Sequence, residues 1–220
     1  MTRRHQIVLL TAVIAIAAFA AGWFLYDRQV RENQLNAAAA ASAALVRAHA
    51  PIMGPSNAPV TIVEFFDPSC ETCRAFYPVV KQILGMFPND VRLVIRYAPL
   101  HEGSDEVVRM LEAARLQNLF VPVLEGLLQT QPSWAVHGAP RLDIAWAVAA
   151  DQGLDVERAR RDIARPEIDA VLRQDVADLR TANVRGTPTF FVNEKPLLSF
   201  GAQQLYDLVR SEVERVRSTR

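Results

Sequence analysis

The sequence contains little cysteine and has no excess of charge of either sign. Only two of its 220 residues are cysteines, which is too few for a small fold held together by disulfides. Lysine plus arginine and aspartate plus glutamate both number 24, so the formal net charge is zero. Nucleic-acid-binding domains usually carry a basic excess, and this balance argues against that function. Half of the residues are hydrophobic, which excludes a wholly disordered chain.

The long uncharged run of the sequence is at its N-terminus. Residues Ile7–Tyr26 contain no charge and are long enough to cross a hydrocarbon core as a helix. Trp23 and Tyr26 close the run, as is typical of a membrane interface. We predict a cytoplasmic segment at 1–6, a transmembrane signal anchor at 7–26, and the rest of the chain on the periplasmic side of an inner membrane. A cleaved signal peptide and a buried core helix are the alternatives.

The next segment differs in composition from both of its neighbours. Residues 27–54 are polar at first and then rich in alanine, which predicts a helical or frayed linker because alanine has the highest helix propensity. Pro51, Gly54 and Pro55 interrupt this pattern. We therefore predict that one domain spans residues 55–220.

The first part of this domain alternates between strand and helix patterns. Two runs of β-branched and aromatic residues, Val60–Phe66 and Val91–Tyr97, predict buried strands. The helical pattern between them, from about Cys70 to Met86, predicts that the two strands form a parallel pair joined by a crossover helix. Helical periodicity then continues through an insertion at about 101–185, and Ser104 is expected to cap its first helix.

Strand character returns near the end of the chain. Thr189–Val192 predicts a strand, and a turn at Asn193 to Lys195 leads into an expected returning strand at Pro196–Phe200. Gln203–Val216 has the pattern of a last amphipathic helix. The order of elements is therefore strand–helix–strand, a helical insertion, and then strand–strand–helix, which predicts an α/β fold.

The two cysteines lie in one four-residue stretch, Cys70-Glu71-Thr72-Cys73, where a predicted strand gives way to a predicted helix. The N–H groups of a helix's first turn have no backbone partner and favour an anion, so the first thiolate should be stabilised. A thiolate is the attacking species in thiol–disulfide exchange. We therefore predict that Cys70 is the nucleophile and that Cys73, one turn further on and more buried, resolves the mixed disulfide.

Three other interpretations of the cysteine pair stay open. A zinc site needs four ligands, and the chain adds only four scattered histidines to the two thiols. A linear copper(I) site needs only two soft thiolates. A purely structural disulfide would close a very short loop and would stabilise the fold weakly.

Two segments together resemble the DsbA-like branch of the thioredoxin superfamily. They are Phe-Phe-Asp-Pro-Ser-Cys-Glu-Thr-Cys at 65–73 and Gly-Thr-Pro-Thr-Phe-Phe-Val-Asn at 186–193. The resemblance covers roughly 55–216 and implies a thioredoxin-like fold with a helical insertion. It also implies that Pro188 is in cis and faces the active-site disulfide. The Thr187 backbone is then free to pair with an extended substrate segment.

The resemblance gives Glu64 a role as well. Glu64 lies within the apolar strand, six residues before Cys70, and burial there would raise its pKa. Similar proteins carry an acid at the matching position, and this implies that Glu64 moves a proton for the buried cysteine. The alternative is that strand alternation places Glu64 on a partly solvated face.

The dipeptide between the cysteines departs from the strongly oxidising relatives, which carry Pro-His there. This chain has Glu71 and Thr72 instead. We expect the Glu71 carboxylate to disfavour the neighbouring Cys70 thiolate, with no histidine to replace the lost positive charge. Glu71 and Thr72 are therefore predicted to tune the redox potential away from strong oxidation.

Together these features predict a membrane-anchored, exported thiol–disulfide oxidoreductase that uses no cofactor and no metal. The expected partners are cysteine-bearing exported proteins and a membrane redox partner that recycles the cysteines, with no nucleic acid among them. The direction of electron flow stays open. A copper(I)-handling thiol protein and a non-catalytic peptide-binding module are the alternative functions.

Overall fold

A computed structural model describes residues 19, 22–33, 36 and 39–219. The chain divides into two units, Met1–Ser42 and Ala43–Arg220. In the first unit residues 22–33 are helical. Five large apolar side chains of this unit are exposed: Phe19, Trp23, Phe24, Leu25 and Tyr26.

The membrane anchor expected at Ile7–Tyr26 falls mostly outside the described residues. Where the structure does describe the chain, none of its helices combines the length and the apolar character that crossing a membrane requires. The predicted inner-membrane location, with the domain on the periplasmic side, is therefore wrong by this finding.

The second unit is organised around a five-stranded sheet with the order β1-β3-β2-β4-β5. Its strands are β1 (Ile52–Met53), β2 (Val60–Phe66), β3 (Val91–Tyr97), β4 (Thr189–Val192) and β5 (Lys195–Pro196). Strands β2 and β3 run parallel, and the other neighbouring pairs are antiparallel. The bounds of β2 and β3 are those that the sequence predicts, because uninterrupted β-branched and aromatic runs favour strands buried on both faces.

Helices cover both faces of this sheet. Helix α1 (Glu71–Met86) connects β2 to β3, and α7 (Ala202–Ser218) follows β5. The insertion between β3 and β4 consists of five helices: α2 (Ser104–Arg115), α3 (Phe120–Trp134), α4 (Leu142–Asp151), α5 (Val156–Asp162) and α6 (Pro166–Thr181). The predicted helical insertion is therefore present.

The structure departs from the sequence-based prediction at both edges of the sheet. Residues 43–54, which composition assigned to a linker, lie in the second unit and contribute β1. The returning strand expected at Pro196–Phe200 is wrong in extent, since β5 ends at Pro196. The chain turns toward α1 there, and the Phe200 and Phe76 rings pack with their centroids 4.5 Å apart.

Alternation along β2 divides the core between the two faces of the sheet. Ile62 and Phe66 belong to the larger core, which also contains the inner face of α1. Val63 and Phe65 belong to a smaller core that includes Leu179 of α6. Glu64 has the same parity as Ile62 and Phe66 and therefore lies on the face of the larger core.

A buried ion network fastens the start of the second unit to the sheet. Arg96 of β3 is fully buried and donates hydrogen bonds to Asp175 and Asp178 of α6 at 2.7 Å. The same guanidinium donates to the backbone carbonyl oxygens of Ala44 and Leu45. Buried charges are tolerated only when they are paired in this way, and removal of one partner leaves the others uncompensated.

Arg96→Met should therefore destabilise the domain strongly. The substitution leaves Asp175 buried without its guanidinium partner, and we expect a loss of about 3–5 kcal/mol in the free energy of unfolding. Urea denaturation measures this loss. Arg165→Met is the matched control, because Arg165 is exposed and pairs with the exposed Glu167 and the largely buried Asp162 at 3.4 and 3.7 Å, and its loss should cost less than about 1 kcal/mol. Equal losses for the two variants would contradict the role given to Arg96.

Candidate active site

The two cysteines lie at the start of α1, beyond the carboxyl end of β2. Cys70 is the N-cap residue, with φ −78° and ψ 121°, and Cys73 lies within the first turn. Both side chains are buried, with 5% of Cys70 and none of Cys73 exposed, and both are free thiols. The strand places the pair against the larger core, and the helix begins directly after Cys70.

The two thiols differ strongly in acidity. A hydrogen bond with the Cys73 side chain lowers the pKa of Cys70 to about 5 against the opposing effect of burial, and backbone N–H groups of the first turn contribute. Burial raises the pKa of Cys73 well above that of an ordinary thiol, and its hydrogen bond to Cys70 adds to the shift. At neutral pH the pair therefore consists of a Cys70 thiolate and a Cys73 thiol.

The second motif faces this pair across the site. The Thr187–Pro188 peptide bond is cis, and the Cys70 Sγ lies 3.3 Å from the Thr187 carbonyl oxygen. Pairing of Phe65 with Thr189 sets the register of β2 and β4, and this register brings residues 187 and 188 to the carboxyl end of β2. Two segments 117 residues apart in sequence thus meet at one thiol.

Glu64 lies behind the cysteines, inside the domain. Only 1% of it is exposed, which excludes the partly solvated position considered above. Burial raises its pKa to about 8, and the negative charge of Cys70 adds to this. Its Oε1 atom has no hydrogen-bond partner in the described part of the chain. The Glu64 charge also contributes to the raised pKa of Cys73, so the carboxyl group and the Cys73 thiol interact electrostatically.

Asp67 holds the loops around Cys70 and was not among the predicted site residues. Its buried carboxylate accepts hydrogen bonds from the backbone N–H groups of Ser69, Leu100 and His101 at 2.7–3.0 Å. The Ser104 Oγ lies 2.5 Å from one carboxylate oxygen, and the His101 Nδ1 lies 2.7 Å from the other. Ser104 therefore binds Asp67 and is not a helix cap; Gly103 holds that position.

Gln131 of α3 is a second residue that the sequence analysis missed. Its buried side-chain amide donates to the carbonyl oxygens of Pro68 and Cys70 at 2.7 and 3.0 Å. The helical insertion thereby fixes the backbone that carries Cys70. A strand-terminal Asp-Pro pair was a signal for Asp67, but a glutamine within a helix more than 60 residues away gave none.

The dipeptide between the cysteines has surroundings that the sequence did not predict. His137, in the loop after α3, places its Nε2 2.8 Å from the Glu71 carboxylate, so this carboxylate does have a histidine partner. A hydrogen bond from its own backbone and the one with His137 lower the pKa of Glu71. Thr72 is exposed and stays a predicted tuning residue.

A reduced cysteine pair on the first turn of a helix, opposite a cis-proline and beside a sheet of this order, defines a thiol–disulfide oxidoreductase of the thioredoxin superfamily. The chain belongs to the Thioredoxin_4 family, described as thioredoxin, whose model matches residues 47–209. The predicted thioredoxin-like α/β fold and the DsbA-like resemblance are thereby confirmed.

Solved structures share this fold. A thioredoxin-like oxidoreductase from Silicibacter pomeroyi DSS-3 is 32% identical, with a TM-score of 0.67 over 80% of this chain and 97% of that chain. BdbD from Bacillus subtilis, in its oxidised form, is 22% identical with a TM-score of 0.67 over 75% and 93% of the two chains. The α-DsbA1 protein of Wolbachia pipientis is 14% identical with a TM-score of 0.72 over 82% and 98%.

The curated relatives are much longer proteins. The Na(+)/H(+) antiporter NhaA of Herminiimonas arsenicoxydans is 32% identical over 146 residues, which make up 66% of this chain and 22% of the antiporter. An NhaA 1 antiporter of Salinispora arenicola is 34% identical over 149 residues, or 64% and 21% of the two chains. The chain thus spans about a fifth of the length of the curated relatives it matches.

Titration of the reduced protein should reveal one acidic thiol. Thiolate absorbance in the ultraviolet should rise with a midpoint near the pKa of about 5 that Cys70 has. Cys73→Ala should raise this midpoint, because its side-chain hydrogen bond is the largest cause of the shift. Cys70→Ser should abolish the transition, since Cys73 remains protonated. A wild-type midpoint near the ordinary thiol value of 9.0 would contradict this assignment.

Proposed function

We propose that the protein exchanges disulfides with cysteine-bearing protein substrates through Cys70 and Cys73. The observation that carries this proposal is the unequal acidity of the two thiols at one helix start, with the cis-proline segment beside the acidic one. Thiol–disulfide exchange needs an accessible thiolate to attack and a second thiol to release the product. The two cysteines divide these roles between them.

Each exchange consists of two substitutions at sulfur. In the oxidised protein, a substrate thiolate attacks the Cys70 sulfur, the Cys70–Cys73 bond breaks, and Cys73 leaves with the electron pair. A second substrate thiolate then attacks the substrate sulfur of the mixed disulfide, and Cys70 leaves as a thiolate. The substrate gains a disulfide, and the protein is reduced by the two electrons that the substrate loses.

Stabilisation of the Cys70 thiolate favours this direction of transfer. A lowered thiol pKa stabilises the reduced form relative to the disulfide, which makes the disulfide a stronger oxidant. The reverse reaction uses the same atoms, with Cys70 attacking a substrate disulfide and Cys73 displacing the reduced substrate. In the forward direction a second redox protein must accept the two electrons and restore the Cys70–Cys73 disulfide, and in the reverse direction it must supply two electrons to reduce that disulfide.

Glu64 is proposed to exchange a proton with Cys73. When the disulfide opens, Cys73 takes up a proton, and when it attacks a mixed disulfide, it must give one up. A buried carboxyl group with a pKa of about 8 can do both near neutral pH. The unpaired Glu64 Oε1 supports this role, because a purely structural buried carboxyl group would be hydrogen-bonded.

Thr187 and Pro188 are proposed to position the substrate chain. Proline has no N–H, so Pro188 leaves the Thr187 backbone as the group that can pair with an extended peptide next to Cys70. Backbone pairing of this kind binds substrates with little dependence on sequence, while the side chains around the site select among them.

Substitution of each cysteine should separate the two steps. Cys70→Ala should abolish exchange with a disulfide-bearing protein, because the thiolate is lost. Cys73→Ala should accumulate mixed disulfides at Cys70, because the attacked substrate is no longer released. Non-reducing gels with mapping of the linked peptide measure both outcomes, and a substrate with alkylated cysteines is the control. Trapping in the Cys70→Ala variant alone would reverse the assignment.

Glu64→Gln should slow exchange and stabilise the fold. The amide accepts no proton from Cys73, so we expect resolution about 100-fold slower, without the rise through about pH 8 that we expect of the wild type. The folded pKa of Glu64 lies above its unfolded value of 4.5. Folding therefore takes up a proton at pH 7, and the variant removes a cost of about 3 kcal/mol.

Stopped-flow kinetics across the pH range and urea denaturation test these two effects together. Glu112→Gln is the control, because the buried Glu112 carboxylate binds Tyr97 and Arg115. This variant should lose stability and keep the pH profile of the wild type. An unchanged pH profile for Glu64→Gln would exclude Glu64 as the proton carrier.

A further inference from the structure

Two carboxylate–histidine pairs lie beside Cys70. In the first, the buried Asp67 carboxylate holds His101 at both its Nδ1, 2.7 Å away, and its backbone N–H, 3.0 Å away. In the second, the His137 Nε2 lies 2.8 Å from the Glu71 carboxylate, next to Cys70 in the chain. The His101 side chain is half-buried, whereas His137 and Glu71 are exposed.

The two pairs form one cluster. The His101 and His137 rings lie edge to face, with their centroids 5.6 Å apart and an interplanar angle of 68°. Both rings line a cavity of about 40 Å³ together with Ser69, the residue that precedes Cys70. Such a cavity has room for a few water molecules at most. Segments that follow β3 and α3 thus bring two imidazoles to the first turn of α1.

We propose that the His101–His137 cluster supplies the positive charge beside the Cys70 thiolate that the dipeptide between the cysteines lacks. Asp67 is the positioning residue for His101, and His137 offsets the Glu71 carboxylate. The inference rests on the proposed function in that it takes Cys70 to be the reacting thiolate. It places the control of redox potential outside the Cys-x-x-Cys segment.

The electrostatic interaction between His101 and Cys70 supports this assignment. The Asp67 hydrogen bond, Asp67 charge and Cys70 charge raise the pKa of His101 against the opposing effect of burial. A thiolate that stabilises an imidazolium is stabilised by it to the same extent. The raised pKa of His101 therefore favours its imidazolium form beside the Cys70 thiolate, and the two charges stabilise each other.

The charged and titratable groups around His101 are Asp67, Glu71, Cys70, His137 and Glu102. Glu102 lines the same cavity but is itself exposed, so its charge is screened by solvent.

Arg74, the cation of α1 nearest to Cys70 in sequence, lines a different groove with Tyr77 and Lys81. His101 is thus the half-buried histidine of this cluster, held by a fully buried carboxylate.

The test measures the thiolate directly. His101→Gln should raise the apparent pKa of Cys70, read by thiolate absorbance, by about one unit. This tenfold change corresponds to a potential ~30 mV more reducing after equilibration with glutathione. The difference in potential should be present at about pH 6, where the imidazolium is charged, and vanish at about pH 9. His101→Lys should keep the low pKa of Cys70 and extend the effect to about pH 9.

His49→Gln is the matched control. His49 is also half-buried and lies 2.7 Å from a fully buried aspartate, Asp175, but on the opposite side of the sheet from α1. This variant should leave the pKa of Cys70 unchanged. An equal shift in the two variants, or a His101→Gln effect that is the same at both pH values, would show a structural cause and overturn the proposal.

A double-mutant cycle tests the role of His137. His137→Gln should raise the pKa of Cys70 by exposing the thiolate to the Glu71 charge, and Glu71→Gln in the same chain should reverse this shift. Additive effects of the two substitutions would overturn the role of His137. Failure of the wild-type protein to form any mixed disulfide would refute the proposed function, whereas the thiolate titrations would still decide this inference.

Discussion

The buried Asp67 carboxylate is the constraint on which the rest of the site depends. It accepts hydrogen bonds from the Cys70 loop, from the segment that follows β3 and from the start of α2. Unpaired burial of a carboxylate would cost several kcal/mol. The three segments must therefore come together for the charge to be tolerated, and in doing so they bring His101 to the cysteine pair. Gln131 completes the arrangement from α3 by binding the carbonyl oxygens of Pro68 and Cys70.

Neighbouring groups of the site have pKa values shifted in opposite directions, although burial raises the pKa of each. Cys73 and Glu64 are buried without a compensating cation, and both pKa values rise. Cys70 lies at the helix start, where the Cys73 thiol and backbone N–H groups overcome the effect of burial and lower its pKa. The same small region thus holds an anion at the start of the helix and two protonated groups behind it. This separation is what a sequence of sulfur substitutions and proton transfers requires.

Local sequence patterns predicted the elements whose formation depends on neighbouring residues in the chain. The bounds of β2 and β3 follow from their apolar runs, and the position of Cys70 follows from the junction of a strand with a helix. Contacts between distant segments were not predictable in this way. Ser104 has the residue type of a helix cap, yet the Asp67 carboxylate binds its hydroxyl and Gly103 takes the cap position. His137 looked like one of four scattered histidines until the fold brought it to Glu71.

The ion network around Arg96 also determines where this domain can be joined to or cut from other chains. Arg96 binds the carbonyl oxygens of Ala44 and Leu45, and Arg47 and His49 bind the same α6 aspartates. A fragment that began at the proline-rich boundary near Pro55 would leave a guanidinium and two carboxylates of the interior without these partners. The transferable module therefore includes residues 43–54. A boundary placed before residue 43 keeps these contacts, whereas a cut a few residues later removes hydrogen-bond partners of Arg96, Asp175 and Asp178.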